Sequence, residues 1–213
     1  MPYSSVPDLG NRNKNMNLTH DYYELKVLAR QVRAQYGLKS PRVVPTDLHR
    51  IYLKEGIQID YWPYRFKYLR GAFICDDLGP TVMLSGNLPM DPLVFTMAHE
   101  LKHFLTDRDL GISYCDRSNI NRSIEIGAEV FAAELLFPDQ YFVEYMRRTN
   151  IKRGQCDPNT LVRLKMDTRT TLSYAGLAIK AERLGFAPTN SLTHLKGWRK
   201  LEKMSLEVRR NLR

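Results

Sequence analysis

The chain has 213 residues, 43% of them hydrophobic and 26% charged, with a formal net charge of +9. That is enough chain for one domain with a good core, or one domain plus a small appendage, in the composition range of soluble globular proteins. No apolar run approaches a membrane span, and Met1-Pro2-Tyr3-Ser4-Ser5 lacks the basic start and apolar core of a secretory signal. Cys75, Cys115 and Cys156 are widely spaced and form no Cys-x-x-Cys pair, which excludes a zinc ribbon and fits the reducing cytoplasm better than a disulfide framework.

Residues 1–17 are polar and broken by Pro2, Pro7 and Gly10, so they read as a mobile leader. From Thr19 to Tyr36 apolar residues recur at Tyr22, Leu25, Leu28, Ala29 and Val32, and Gly37 comes next as a stop; this predicts an amphipathic helix. Pro45-Thr46-Asp47 opens a shorter helix that ends at Gly56. Three β-like stretches come next: Ile57 to Tyr61, Gly71 to Cys75 and Thr81 to Ser85, with a turn at Asp77-Leu78-Gly79-Pro80. They predict a small antiparallel sheet beside the next helix in the chain.

That helix carries His99-Glu100-Leu101-Lys102-His103. Asp91 is placed to cap it, Pro92 suits its first position, and Leu93, Val94, Met97, Ala98, Leu101 and Leu105 give it a buried face. Residues four apart lie above one another on a helix, so His99 and His103 can present two imidazole nitrogens to one metal. Glu100 sits one residue round, within reach of a water on that metal but badly placed as a third ligand. This is the zincin arrangement, with two histidines on zinc and a glutamate as general base.

His-Glu-x-x-His recurs by chance, so the weight falls on a second helix downstream. Catalytic zinc usually takes three protein ligands and leaves one position for water. After a polar, turn-rich stretch, Asp107 to Arg122, this second helix runs from Ser123 to Phe137 and stops at Pro138. Glu125 and Glu129 share a face of it. One can bind the metal while the other accepts an N–H from a ligand histidine. Glu125 is the expected ligand and Glu129 the alternative. Glu134 stays open between a solvated acid and a role in the site. In the connecting stretch, Tyr114 is a candidate oxyanion donor, or an ordinary packed residue.

His99-Glu100-Leu101-Lys102-His103, followed by Glu125-x-x-Ala128-x-x-Phe131-Ala132-Ala133-Glu134-Leu135-Leu136-Phe137-Pro138, resembles the ImmA/IrrE family of metallo-endopeptidases. The likeness covers about residues 18 to 190, strongly at these two motifs and loosely elsewhere. It implies a third zinc ligand at Glu125, one zinc ion per chain, and a protein substrate that is a helix-turn-helix transcriptional repressor of stress, phage or mobile-element genes. The family often has Glu or Gln where this chain has Gly127, and Asn where it has Glu129; these departures leave the ligand in place and affect its surroundings. In zincins generally an extended substrate pairs with an edge strand. By that resemblance Thr81 to Asn87 is the candidate edge, with an ordinary core strand as the alternative.

Beyond Pro138, Tyr141 to Arg148 continues as a helix, and Gln155-Cys156-Asp157-Pro158 marks a break. Thr171 to Phe186 resembles the later half of a helix-turn-helix, or forms a helical hairpin packed on the peptidase domain. Residues 194–213 hold seven Lys or Arg against Glu202 and Glu207. Such a tail either makes a weak DNA contact or only keeps the surface solvated. The whole predicts an α+β protein. Its parts are a leader at 1–17, a zincin-like metallopeptidase domain at 18–150 with a small antiparallel sheet packed on the His-Glu-x-x-His helix, a helical extension at 151–190 and a basic tail at 191–213. The alternative reading is a DNA-binding regulator or partner-binding module with a mainly structural metal site; Glu100 counts against it, since a structural site needs no general base.

Overall fold

A computed structural model describes residues 22–63, 70–108, 113–114 and 122–211, with residues 113, 114, 122 and 208–211 described by backbone alone. The expected leader lies outside these residues. The elements are α1 (Tyr22–Gln35), α2 (Pro45–Glu55), β1 (Gln58–Trp62), β2 (Gly71–Asp76), β3 (Gly79–Ser85), α3 (Met90–Thr106), β4 (Ser113–Tyr114), α4 (Arg122–Leu136), α5 (Asp139–Arg148), α6 (Pro158–Thr168), α7 (Tyr174–Arg183) and α8 (Trp198–Asn211). The architecture is α+β, as expected.

Helix ends follow local chemistry. In α2 the Val44 N–H donates to Asp47 Oδ2 (3.0 Å), and the helix closes at Gly56, whose φ of 69° is the left-handed conformation that glycine adopts without strain. Helix α6 starts at Asp157, which accepts from the Thr160 N–H at 2.7 Å. Helix α3 departs from expectation. It begins at Met90 with Pro89 as its cap residue, and the first helical bond runs from Leu93 N–H to Pro89 O (2.9 Å). Asp91 is therefore not the cap; it lies in the first turn and accepts from Lys165 Nζ on α6 at 2.8 Å. Pro92 falls at the third helical position, still among the leading residues whose N–H groups have no partner within the helix.

The sheet order is β1-β3-β2-β4. The β2–β3 hairpin and the β2–β4 pair are antiparallel, but β1 runs parallel to β3. The sheet is therefore mixed rather than wholly antiparallel. The cause is the hairpin: β2 turns back through Asp77-Leu78, so β3 returns in the direction of β1 and fills the place between β1 and β2. The same topology overturns β3 as a candidate edge, since β3 has a hydrogen-bonded neighbour on each side, and the edge positions fall to β1 and β4.

Helix α3 packs across β2 and β3 and is flanked by α2 and α4, with α1 beyond α4. One core joins these layers, with Leu25, Ile51, Phe73, Leu84, Met97, Leu101 and Phe131 in one cluster. Tyr52 is fully buried and its hydroxyl donates to Met97 O at 2.5 Å, which ties α2 to the middle of α3. Every residue of α3 from Thr96 to Phe104 is buried, although Glu100, Lys102 and the two histidines are polar. A helix buried all round is normally apolar all round. Here the polar side chains are enclosed because they bind one another and the next helix.

A second apolar cluster unites α5, α6 and α7 with Phe137, and begins earlier than the expected extension by taking in Phe142, Tyr145 and Met146 of α5. Helix α8 lies on it through Leu201 and through Trp198, which stacks on Tyr174 (centroids 5.1 Å apart, planes 7° apart). Ion pairs join the two clusters: Lys180 of α7 meets the buried Glu134 of α4 at 3.2 Å and also the half-buried Asp139, which Lys26 of α1 reaches as well. Glu134 is thus neither solvated nor near the histidines. It is fully buried and also accepts from Arg30 (2.9 Å) and the Asp139 N–H (3.0 Å). Among the described residues no helix is long and apolar enough to cross a membrane.

Candidate metal centre

Helix α3 supplies His99 and His103, one turn apart with ring centroids 5.0 Å from each other. Helix α4 packs against it and brings Glu125 in its first turn to the same place. His99 Nε2 lies 3.1 Å from Glu125 Oε2, and His103 Nε2 lies 3.6 Å from Glu125 Oε1. One donor atom from each of the three residues falls within 4.8 Å of the others.

This geometry fits a metal ion. Two ligand atoms at ordinary Zn–N and Zn–O bond lengths on a tetrahedral ion stand roughly 3.3 Å apart, and the two observed separations bracket that value. The donor set, two imidazoles and a carboxylate, suits a borderline divalent cation. The field does too. Burial works against a proton on His99, but the Glu125 hydrogen bond and the charges of Glu100, Glu125 and Glu129 outweigh it and raise the imidazole pKa above its ordinary value. Surroundings that retain a proton there also favour a metal cation.

His103 is oriented by a residue that sequence reasoning misses. Its Nδ1 donates to Asp107 Oδ2 at 2.7 Å, which leaves Nε2 as the lone-pair nitrogen facing Glu125. The same Oδ2 accepts from Lys102 Nζ (2.7 Å), and Thr106 Oγ1 donates to Oδ1 (3.0 Å). Burial raises the Asp107 pKa, but the His103 hydrogen bond and the Lys102 charge more than reverse this and hold it below the usual carboxylate range. The signal is present as His103-x-x-x-Asp107, one helical turn. In sequence Asp107 looks like the first residue of a polar connection, whereas it is the C-terminal cap of α3, its N–H bonded to His103 O.

Glu100 is fully buried beside the cluster and faces the start of β2. A Cβ added at Gly71 would sit 3.0 Å from Glu100 Oε1, 2.5 Å from Thr96 Cγ2 and 3.2 Å from Met83 O. Only glycine lets β2 pass this close, and a glycine opening an apolar run gives no sign of it in sequence. Glu129 is exposed and is not one of the three clustered groups; it acts on His99 through its charge, and the carboxylate bonded to a clustered histidine from outside is Asp107. Tyr114 belongs to β4, where its backbone pairs with Ala72; its side chain lies outside the described residues.

An α+β fold with a His-Glu-x-x-His helix against a small sheet, and a carboxylate presented from the next helix, defines a metallopeptidase-like protein. Residues 54–161 match the IrrE N-terminal-like domain of the M78 peptidases, and the chain belongs to that ImmA/IrrE family. Among curated proteins none matches the chain.

Proposed function

We propose that the protein is a zinc-dependent endopeptidase whose single zinc ion is held by His99, His103 and Glu125. The observation that carries this reading is the approach of both Nε2 atoms to the two oxygens of one carboxylate, with a buried glutamate alongside. Bound there, zinc supplies Lewis acidity that makes water nucleophilic near neutral pH and polarises a carbonyl. Glu100 takes a proton from the attacking water and passes it to the leaving amine. Its burial suits that work, because a carboxylate shielded from bulk water exchanges protons with the reacting groups rather than with solvent. Asp107 keeps His103 in the tautomer whose Nε2 is free of hydrogen. Tyr114, on edge strand β4, is the candidate donor to the oxyanion.

By family resemblance the substrate is a helix-turn-helix repressor, cut in the cytoplasm to relieve repression of stress, phage or mobile-element genes. Two buried or half-buried cysteines without a disulfide are consistent with that compartment. A second reading, contact with DNA, rests on α8, which leaves Arg199, Lys200 and Lys203 exposed while Trp198 and Leu201 face the helical cluster. Helix α7 supports it poorly as a recognition helix. Its Tyr174, Leu177, Ala178 and Ala181 are in the core, and its outer side offers Ala175, Ile179 and Arg183.

The deciding experiment compares Glu100→Gln with wild type, each incubated with a helix-turn-helix repressor that the wild type cleaves. Zinc content should stay at wild type while cleavage falls by at least ~10²-fold, the lower range of a positioned general base. Near wild-type cleavage would remove Glu100 from the mechanism, and loss of zinc would make it a ligand.

A further inference from the structure

Lysine is almost never fully buried, yet Lys102 has no exposed surface, between the two histidines' helix and α4. Its ammonium has two acceptors from different elements. One is Asp107 Oδ2 at 2.7 Å, the oxygen that also takes the His103 Nδ1 proton. The other is Ile124 O at 3.3 Å, the carbonyl of the residue directly before Glu125. One cation therefore links the carboxylate that aligns His103 to the peptide that carries Glu125.

The bridge sits beside Gly127, one turn beyond Ile124: a Cβ there would make ordinary contact with Lys102 Cε (3.7 Å) and Nζ (3.8 Å), and its tight neighbour would be Leu25 Cδ1 of α1 at 3.0 Å. Burying the ion is costly, and a well-aligned carboxylate and carbonyl offset that cost. What the arrangement adds is geometry. A three-ligand site split between two helices works only when its donors are held to within about half an ångström.

We propose that Lys102 is a positioning residue that sets the distance between the His99–His103 pair and Glu125, holding the third ligand in place before metal arrives. The proposal rests on the reading of these three residues as the metal ligands. A lysine that merely neutralised Asp107 would act on the histidine side alone.

The test uses the full chain, stripped of metal, as wild type, Lys102→Met, Glu125→Gln and the double variant. Zinc affinity is measured by competition with a chelating dye, the visible spectrum is recorded with cobalt(II), and helix content is followed by circular dichroism. Lys102→Met should keep its helices, bind zinc about 10–100-fold more weakly and give a cobalt spectrum altered toward that of Glu125→Gln. The double variant should bind no more weakly than Glu125→Gln alone, because both changes act on one ligand. Wild-type affinity and spectrum in Lys102→Met, or losses that multiply in the double variant, overturn the proposal. Should Lys102→Met not fold, Lys102→Met with Asp107→Asn leaves no unpaired charge, keeps an acceptor for His103 and is compared with Asp107→Asn alone. A further weakening of the same size is expected there, and equal affinity of the two overturns the proposal. Failure of the wild type itself to bind zinc or cobalt refutes the ligand reading, and the bridge falls with it.

Discussion

Replacing Asp107 by alanine removes one carboxylate from three roles at once. It loses the acceptor for His103 Nδ1, the counter-charge of Lys102 and one partner of Thr106 Oγ1. Both side chains of the Lys102 pair are almost wholly enclosed, at 0% and 2% exposure, so water cannot replace the missing partner. Removing one member of a buried ion pair costs about 3–5 kcal/mol, because the other charge is left behind. Asp107→Ala should therefore lose that much in equilibrium urea unfolding of the metal-free protein at pH 7, and Asp107→Asn less, since it keeps an acceptor. The sign of the pH dependence comes from the depressed pKa. A carboxylate with a folded pKa below its unfolded value of 3.8 contributes stability above that value and loses it as pH falls toward the folded pKa. The gap between wild type and Asp107→Asn should thus be constant near neutrality and close below about pH 4. Zinc affinity of Asp107→Ala should also drop roughly 10–100-fold. A stability loss within about 1 kcal/mol, well under the buried-pair range, would refute the electrostatic reasoning.

The same geometry carries further outcomes. His99→Ala or His103→Ala should abolish stoichiometric zinc by elemental analysis, and Glu125→Gln should weaken binding far more than Glu129→Gln; the reverse order would exchange their roles. Gly71→Ala should destabilise the fold by roughly 1–3 kcal/mol in thermal or urea melts, as overpacking does, and should depress cleavage by displacing Glu100; an unchanged melt and rate would show that β2 yields freely. Replacing Arg199, Lys200 and Lys203 by glutamine spares the Trp198–Tyr174 stack. If α8 touches DNA, the variant's gel-shift binding should weaken and lose salt dependence, whereas unchanged, salt-insensitive binding would exclude that role.

The candidate metal helix is legible in sequence because its chemistry is local: two histidines four apart lie together in any α-helix, whatever surrounds it. The approach of Glu125 to them is legible through a chemical requirement, since a catalytic zinc would need a third ligand, and that directs attention to the next helix. Asp107 is equally local and escapes notice because polar residues after an apolar run look like the end of a helix rather than part of it. The order of the sheet cannot be read at all. Whether β3 lies inside or at the edge depends on β1, a strand whose partner residues lie well beyond the intervening hairpin strand, and no pattern within β3 records that. Glu134 shows the same limit from the other side. An acid among apolar residues of α4 gives no sign of Arg30 and Lys180, which arrive from α1 and α7.

The enclosed position of β3 also orders events in time. Strands β2 and β3 meet across a two-residue turn and can zip together early, since closing a short loop is fast and costs little entropy. Strand β1 can dock only after that hairpin exists, and it does so along a single side with residues that are exposed or half-buried, none fully buried. Among β1, β2 and β3 it is therefore the strand that native fluctuations release first, and its amides from Gln58 to Trp62 should be the quickest of the three to exchange with solvent. Gly71 and Glu100 lie on the other flank, where β2 is held by α3 and β4. The protein can fray at one side of its sheet while the geometry around its buried glutamate stays fixed.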